Sequence, residues 1–401
     1  MSPAAILTIT VGGEQLVKAR HMQQKPATRP ANPRFSSGPC PKYPGFDLAQ
    51  LGDALLGRSH RSPPGREKLR AAIEGTRKIL RIPHDYLIGI VPASDTGAVE
   101  MAMWNLLGAR PVTMVAWESF GRNWVIDAVE QLGLDADIRT ADWGEIVDMT
   151  TLDYDNDIVF TWNGTTSGVR VPDGTAIPAT RQGLTICDAT SAAFAMDLPW
   201  ESLDVVTYSW QKVLGGEAAH GMLILSPRAA QRIESYTPSW PLPKIFRLKK
   251  DGQLISGIFD GDTINTPSML VVEDYLKALA WAQSAGGIDA LIRKAETSAG
   301  LIWDFCAARE WISTLARDPA TRSTTSVCLV FDDPAVAGDA EFARDVVARL
   351  ADEGVAYDIN AYRDAPPGLR IWCGGTVDPE DIAALLPWIE WAYAEEKARR
   401  S

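Results

Sequence analysis

Several large classes of protein leave marks that this sequence lacks. Among 401 residues there are five cysteines and four histidines. Cys40, Cys187, Cys306, Cys328 and Cys373 are scattered, odd in number and never spaced as C-x-x-C. That excludes a zinc ribbon and argues for a reducing, cytoplasmic compartment. His21, His60, His84 and His220 form no pair at helical spacing, so no metal is expected. No apolar run approaches the roughly 20 residues of a membrane span. The apolar start, residues 4–11, has no basic residue before it and makes a poor signal peptide. There is no G-x-G-x-x-G, no internal repeat and no low-complexity tract. Positive charge is also short: 39 Lys and Arg stand against 51 Asp and Glu, a formal net charge of −12. Nucleic acid and anionic membranes are therefore poor partners, and an anionic substrate would need a local basic pocket working against the global field.

What is present is a long, apolar-rich chain, 46% hydrophobic, enough for two domains. Residues 1–30 read as a loose extension, with Met22 an alternative start. From about Arg66 helical and strand patterns alternate. Helices are expected over residues 66–80, 96–107 and 123–132, and strands over 86–91, 112–117, 157–162, 184–187, 205–208 and 221–225. This alternation predicts an α/β fold with a mostly parallel sheet covered on both faces. Long helices follow over 267–285, with Pro267 in the first turn, and over 288–309. Beyond residue 310, strands at 327–331, 356–359 and 369–373 alternate with helices at 340–351 and 379–394, a smaller α+β unit. The expected division is a large domain over 31–290 and a small one over 291–401.

The most informative stretch is Thr207–Gly216, TYSWQKVLGG. It sets Lys212 just after an apolar strand and just before a glycine pair. Twenty-four residues earlier the run Leu184–Cys187 ends in Asp188. A strand-end aspartate and a strand-end lysine are what pyridoxal phosphate chemistry needs: the lysine forms a Schiff base and the carboxylate pairs with the pyridinium nitrogen. Read alone, Lys212 is a snorkelling surface lysine and Asp188 a helix N-cap; their joint placement changes that reading. A carboxylate at about 4 Å is worth on the order of 4 kcal/mol at an effective dielectric of 20, nearly a thousandfold bias toward the protonated ring. Asp95 and Thr96, in Ala93–Gly97, join a strand to a helix, where free N–H groups face an anion. The helix dipole adds only about 0.3–1 kcal/mol, so other donors must help. Phe120 is the candidate ring-stacking residue, with Trp124 the alternative, and Thr165 a candidate donor to the ring hydroxyl.

These residues in this order resemble phosphoserine aminotransferase, a class V, fold-type I family dependent on pyridoxal phosphate. The similarity runs from F-S-S-G-P at Phe35–Pro39, through S-H-R-S at Ser59–Ser62, N-x-T at Asn163–Thr165, Q-K at Gln211–Lys212 and N-T-P at Asn265–Pro267, to G-L-R-I at Gly368–Ile371. The resemblance implies that Lys212 and Asp188 are catalytic and that Phe120, Thr165 and Gln211 surround the ring. Asp95 and Thr96 would offer the phosphate loop, and Asn265 and Thr266 would reach the phosphate from the neighbouring subunit of a homodimer with sites at its interface. Arg370 would clamp the α-carboxylate with its planar fork. His60 and Arg61 would bind the distal anion, and Ser37 would contact substrate. The implied reaction is 3-phosphohydroxypyruvate plus glutamate to O-phosphoserine and 2-oxoglutarate, in ping-pong fashion, for serine biosynthesis. The sequence departs from the family at Phe120, usually tryptophan, and at Thr96, an arginine in some members. Two alternatives share the fold: a serine–glyoxylate type transaminase, which would not need His60 and Arg61, and a class V lyase such as a cysteine desulfurase, which needs a mobile nucleophilic cysteine.

Overall fold

The computed structural model describes residues 24–400; the expectations for residues 1–23 lie outside the described residues. Seven strands form the main sheet: β1 (Leu87–Pro92), β2 (Val112–Ala116), β3 (Ala136–Thr140), β4 (Asp157–Thr161), β5 (Thr185–Asp188), β6 (Val205–Ser209) and β7 (His220–Leu225). Their spatial order is β1-β7-β6-β5-β4-β2-β3. The run from β3 to β6 is parallel, and β7 is antiparallel to both its neighbours. Every residue of β2, β4, β5 and β6 is buried, which is why these strands read as continuous apolar runs rather than alternating ones.

Successive side chains point to opposite faces. Ile186, Val205 and Val159 enter one core, while Cys187, Val206 and Phe160 enter the other. The first core is closed by α2 (Ser94–Leu106), α3 (Ser119–Ile126) and α4 (Pro227–Ser235), and the second by α1 (Pro63–Leu80) and α5 (Met269–Ser284). The second core continues past α6 (Gly287–Ala307) into a C-terminal antiparallel sheet of β8 (Ile312–Thr314), β9 (Ser326–Phe331) and β10 (Gly368–Trp372), backed by α7 (Ala340–Asp352) and α8 (Pro379–Arg400).

Five features differ from the sequence reading. The expected strand at 356–359 makes only single bridges, Tyr357 with Arg34 and Asn360 with Leu369; Asp358 sits at φ 60°, a left-handed conformation that breaks an extended run. Pro267 precedes α5 instead of opening it, because Ser268 is the N-cap and accepts from the Val271 N–H. Helix α3 starts four residues earlier than expected, capped by Glu118. Strand β3, an edge strand of sequence ADIRT with no apolar run, was unread, as was α4, although Ser226 at its N-cap and Pro227 at its first position are ordinary start signals.

Residues 24–35 run along the C-terminal unit. Trp388 Nε1 donates to Thr28 O at 2.7 Å, Lys25 pairs with Glu353 at 2.6 Å, and Trp372 N donates to Phe35 O at 3.0 Å. Among the described residues no helix is long and apolar enough to cross a membrane.

Candidate active site

The parallel strands end on one edge of the sheet, the usual ligand edge of an α/β fold. Asp188 is the last residue of β5, Ser209 the last of β6 and Thr161 the last of β4. With the N-terminus of α2 and the β2–α3 loop they line one cavity of about 150 Å³. Seven predicted residues meet there: Asp95, Thr96, Phe120, Thr165, Asp188, Gln211 and Lys212.

The approach of α2 to this edge is tight. Ala93 and Ser94 adopt φ 66° and 58°, a left-handed conformation costing roughly 1–2 kcal/mol per non-glycine residue and characteristic of functional turns. A Cβ on Gly97 would lie 2.2 Å from Pro92 O, so only glycine lets the first turn sit this close to the strand. Ser94 Oγ then accepts from Gln211 Nε2 at 2.7 Å.

Lys212 Nζ donates to Ser37 O at 2.8 Å and lies 6.0 Å from the centre of the Phe120 ring. Burial pulls its ammonium below the usual lysine range; Arg370 works in the same direction, against the pull of Cys40, Asp188 and Asp95. Gly38, at φ 155°, makes room for it, since a Cβ there would stand 2.3 Å from Nζ. Asp188 is held at both oxygens: Trp124 Nε1 donates to Oδ2 at 3.1 Å and Thr190 N to Oδ1 at 3.0 Å. Trp124, weighed as a stacking ring, is thus an anchor for the carboxylate. Thr165 Oγ1 lies 2.5 Å from Ser191 Oγ, and Asn163 Nδ2 donates to Ser191 Oγ and to Thr325 Oγ1. That network ties the cavity to the C-terminal sheet.

Several contributors were not read from the sequence. Glu118 is fully buried, accepts from Gly121 N at 2.6 Å and Thr166 Oγ1 at 2.9 Å, and burial pushes its carboxyl up to about 7. Tyr362, in the loop before β10, packs its ring 5.4 Å from that of Phe120 and carries the Arg370 guanidinium 5.4 Å over its face. Thr161 and Ser209 are strand-end residues, and the strand-end logic that found Asp188 applies equally to them.

The remaining predicted residues lie outside this cavity's lining. Ser37 adjoins Lys212 through its carbonyl, and its hydroxyl is 3.1 Å from Ser326 Oγ. Arg370 is paired with Cys328 across β9–β10; its guanidinium makes no hydrogen bond or ion pair among the described residues, and its Nε is buried without a partner. His60 is buried, with Nε2 unpartnered; desolvation and then Arg61 hold its imidazole below the usual range, against Asp262. Arg61, Asn265 and Thr266 are exposed.

Cys328 and Cys373 are buried free thiols. Burial pushes Cys328 up to about 12 and Cys373 well above the usual thiol range. Buried, raised thiols are poor nucleophiles, which argues against the desulfurase alternative.

Around the cavity, Asp95 Oδ1, Thr161 Oγ1, Asn163 Oδ1, Thr190 Oγ1, Ser209 Oγ and Gln211 Oε1 are buried with no hydrogen-bond partner. So many unsatisfied polar atoms at one place fit a compact, multiply hydrogen-bonding ligand.

The crossover sheet with a lysine and an aspartate at adjacent strand ends defines an aminotransferase fold. The structure matches phosphoserine aminotransferase from Cytophaga hutchinsonii with a TM-score of 0.78 at 20% identity, covering 90% of this chain and 98% of that one. It matches the PLP-bound phosphoserine aminotransferase of Trichomonas vaginalis with a TM-score of 0.72 at 16% identity, covering 89% and 99%. In sequence, the phosphoserine aminotransferase of Methanosarcina mazei is 56% identical over 370 residues, 92% of this chain and 99% of its own length. The chain belongs to the phosphoserine aminotransferase family. No protein-family model matches it.

Proposed function

We propose that the protein is a pyridoxal phosphate-dependent phosphoserine transaminase of serine biosynthesis. It exchanges the amino group between glutamate and 3-phosphohydroxypyruvate to give 2-oxoglutarate and O-phosphoserine, in a cytoplasmic homodimer. The observation that carries this reading is the meeting of Lys212 and Asp188 in one cavity of unsatisfied polar atoms, in a chain of this family.

The residues fit the cofactor. Asp188, fixed at both oxygens, would pair with the ring nitrogen, Phe120 would stack on the ring and Thr165 would meet the ring oxygen; Ser94, Thr96 and Gln211 would supply donors for the phosphate. Bound pyridoxal phosphate supplies the electron sink and the carbon that carries the amino group between half-reactions. Lys212 Nζ, held toward its neutral form by desolvation, takes the substrate Cα proton and returns it. Arg370, unpaired and forked, takes the α-carboxylate.

Nothing in the cavity lining answers the distal anion. His60 and Arg61 are the candidates, and they group with Asp262, which Arg66 reaches at 3.0 Å, a few residues before Asn265 and Thr266. Near these residues in sequence, Leu56 and Leu270 are exposed and apolar. A two-fold dimer contact that buries these leucines would deliver the four residues to the partner's cavity.

Absorbance titration of the purified protein tests the reading. The expected result is a visible cofactor band that O-phosphoserine converts to the pyridoxamine form at lower concentration than serine or alanine does. Equal response to serine, alanine and phosphoserine would replace it with a small-substrate transaminase.

A further inference from the structure

Asp95 opens the first turn of α2, beside the loop expected to take a phosphate, a poor place for a free carboxylate. Its side chain is only 7% exposed and lines the cavity. It faces Asp188, Thr190 and Thr207 instead of solvent. Oδ1 makes no hydrogen bond of ordinary geometry, and the hydroxyls of Thr190 and Thr207 have no other partner. Asp188 meanwhile uses each of its oxygens as an acceptor, and a proton on Asp95 would give it one more donor.

We propose that Asp95 and Asp188 form a carboxyl pair holding one proton, with Asp95 the donor and Asp188 the ionised acceptor, and that Asp95 thereby positions Asp188 against the cofactor ring. Two carboxylates sharing a buried site cannot both stay ionised. The surrounding charges do not relieve them. From β5 come Asp188 and the Cys187 thiol, itself pushed up by burial and by both carboxylates. Beyond β6 comes Lys212, whose ammonium burial disfavours. From the β2–α3 loop comes Glu118, another acid facing Asp188. Burial first, and the Asp188 charge second, push the Asp95 carboxyl well above the usual range, outweighing the opposite pull of the Thr190 and Thr207 hydroxyls. A neutral Asp95 leaves a single negative charge opposite the ring nitrogen and none beside the phosphate donors. Asp95 is a positioning residue in this account, which rests on the reading that the cavity takes pyridoxal phosphate.

The test uses the full-length protein and two substitutions. Thermal unfolding of the apoprotein is followed from about pH 4 to about pH 8 for the wild type and Asp95→Asn. In the unfolded chain Asp95 ionises near 3.9, while in the folded chain it keeps its proton. Wild-type stability is therefore lost as pH rises toward the folded pKa, and the Asn variant lacks that part of the loss. Its advantage in melting temperature should grow with pH; parallel curves, or an Asn variant that loses ground as pH rises, would overturn the pair. Titration of the same apoproteins with pyridoxal phosphate gives a second reading. Asp95→Ala should lose roughly tenfold in affinity, and Asp95→Asn should recover most of it because its amide also donates to Asp188. Tighter binding by either variant would mark an ionised Asp95 repelling the phosphate and would sink the proposal. A wild type that shows the pH signature yet binds no pyridoxal phosphate keeps the pair and removes the cofactor reading.

Discussion

The cavity around Lys212 is lined by Asp95, Glu118 and Asp188 and by one cation, Lys212 itself. The surface around His60 carries Arg61, Arg66 and the polar Asn265 and Thr266, most of it exposed. The first region has the groups for proton transfer and for holding a cationic ring, but not the positive charge for two phosphorylated ligands. The second has that charge and no catalytic base. In a chain of net charge −12, basic residues near a substrate must be concentrated locally, and here they are concentrated on the face opposite in kind to the pocket. Each region reads as half of a site, and the proposed homodimer would join the two.

Four substitutions sharpen that contrast. The largest effect is expected for Lys212→Ala in the pocket: loss of the base should cut turnover by about 10³-fold or more, measured as glutamate-dependent transamination; near-normal turnover would dismiss Lys212 as the proton carrier. On the surface, Arg61→Ala should raise KM for phosphoserine by about 100-fold with little effect on the half-reaction with alanine. An equal loss on both substrates would show that Arg61 is structural. Glu118→Gln acts on stability. The Glu118 carboxyl moves from 4.5 unfolded to about 7 folded, so wild-type stability should fall as pH rises across that interval, by up to about 3 kcal/mol at full ionisation. The Gln variant should lose that pH dependence, which a denaturant series at several pH values would reveal or refute. The smallest effect is expected for Tyr362→Ala, which removes the ring beneath Arg370. About a fivefold rise in KM for amino donors is expected, with kcat changing less. An unchanged KM would leave Tyr362 as packing only.

The same contrast explains what was legible in the sequence. Strands β2, β4, β5 and β6 were readable because a sheet buried on both faces demands continuous apolar runs, and Asp188 and Lys212 stood out as charges at the ends of such runs. Strand β3 was not, because an edge strand is half solvated and its ADIRT sequence carries no such signal. The tyrosine at 362 sits in a loop whose importance depends on a ring 242 positions earlier, and no local pattern reports that. Glu118 carries no signal in the local sequence; it is buried where Gly121 and Thr166 donate to it. The motif S-H-R-S pointed to His60 and Arg61 as ligands, yet neither lines the cavity around Lys212, and no local pattern says which cavity such residues serve.

Hybrid dimers test this most directly. Lys212→Ala and Arg61→Ala chains, each nearly inactive alone at phosphoserine concentrations below the wild-type KM, are unfolded, mixed in equal amounts, refolded together and assayed at that concentration. If Arg61 serves the partner's cavity, one of the two sites in each hybrid dimer is intact. Half of the dimers are hybrids, so activity should return to about a quarter of the wild-type value. If the Arg61 that matters lies on the same chain as Lys212, every site in the mixture keeps a defect, and activity that stays at the level of the parent variants would contradict the account.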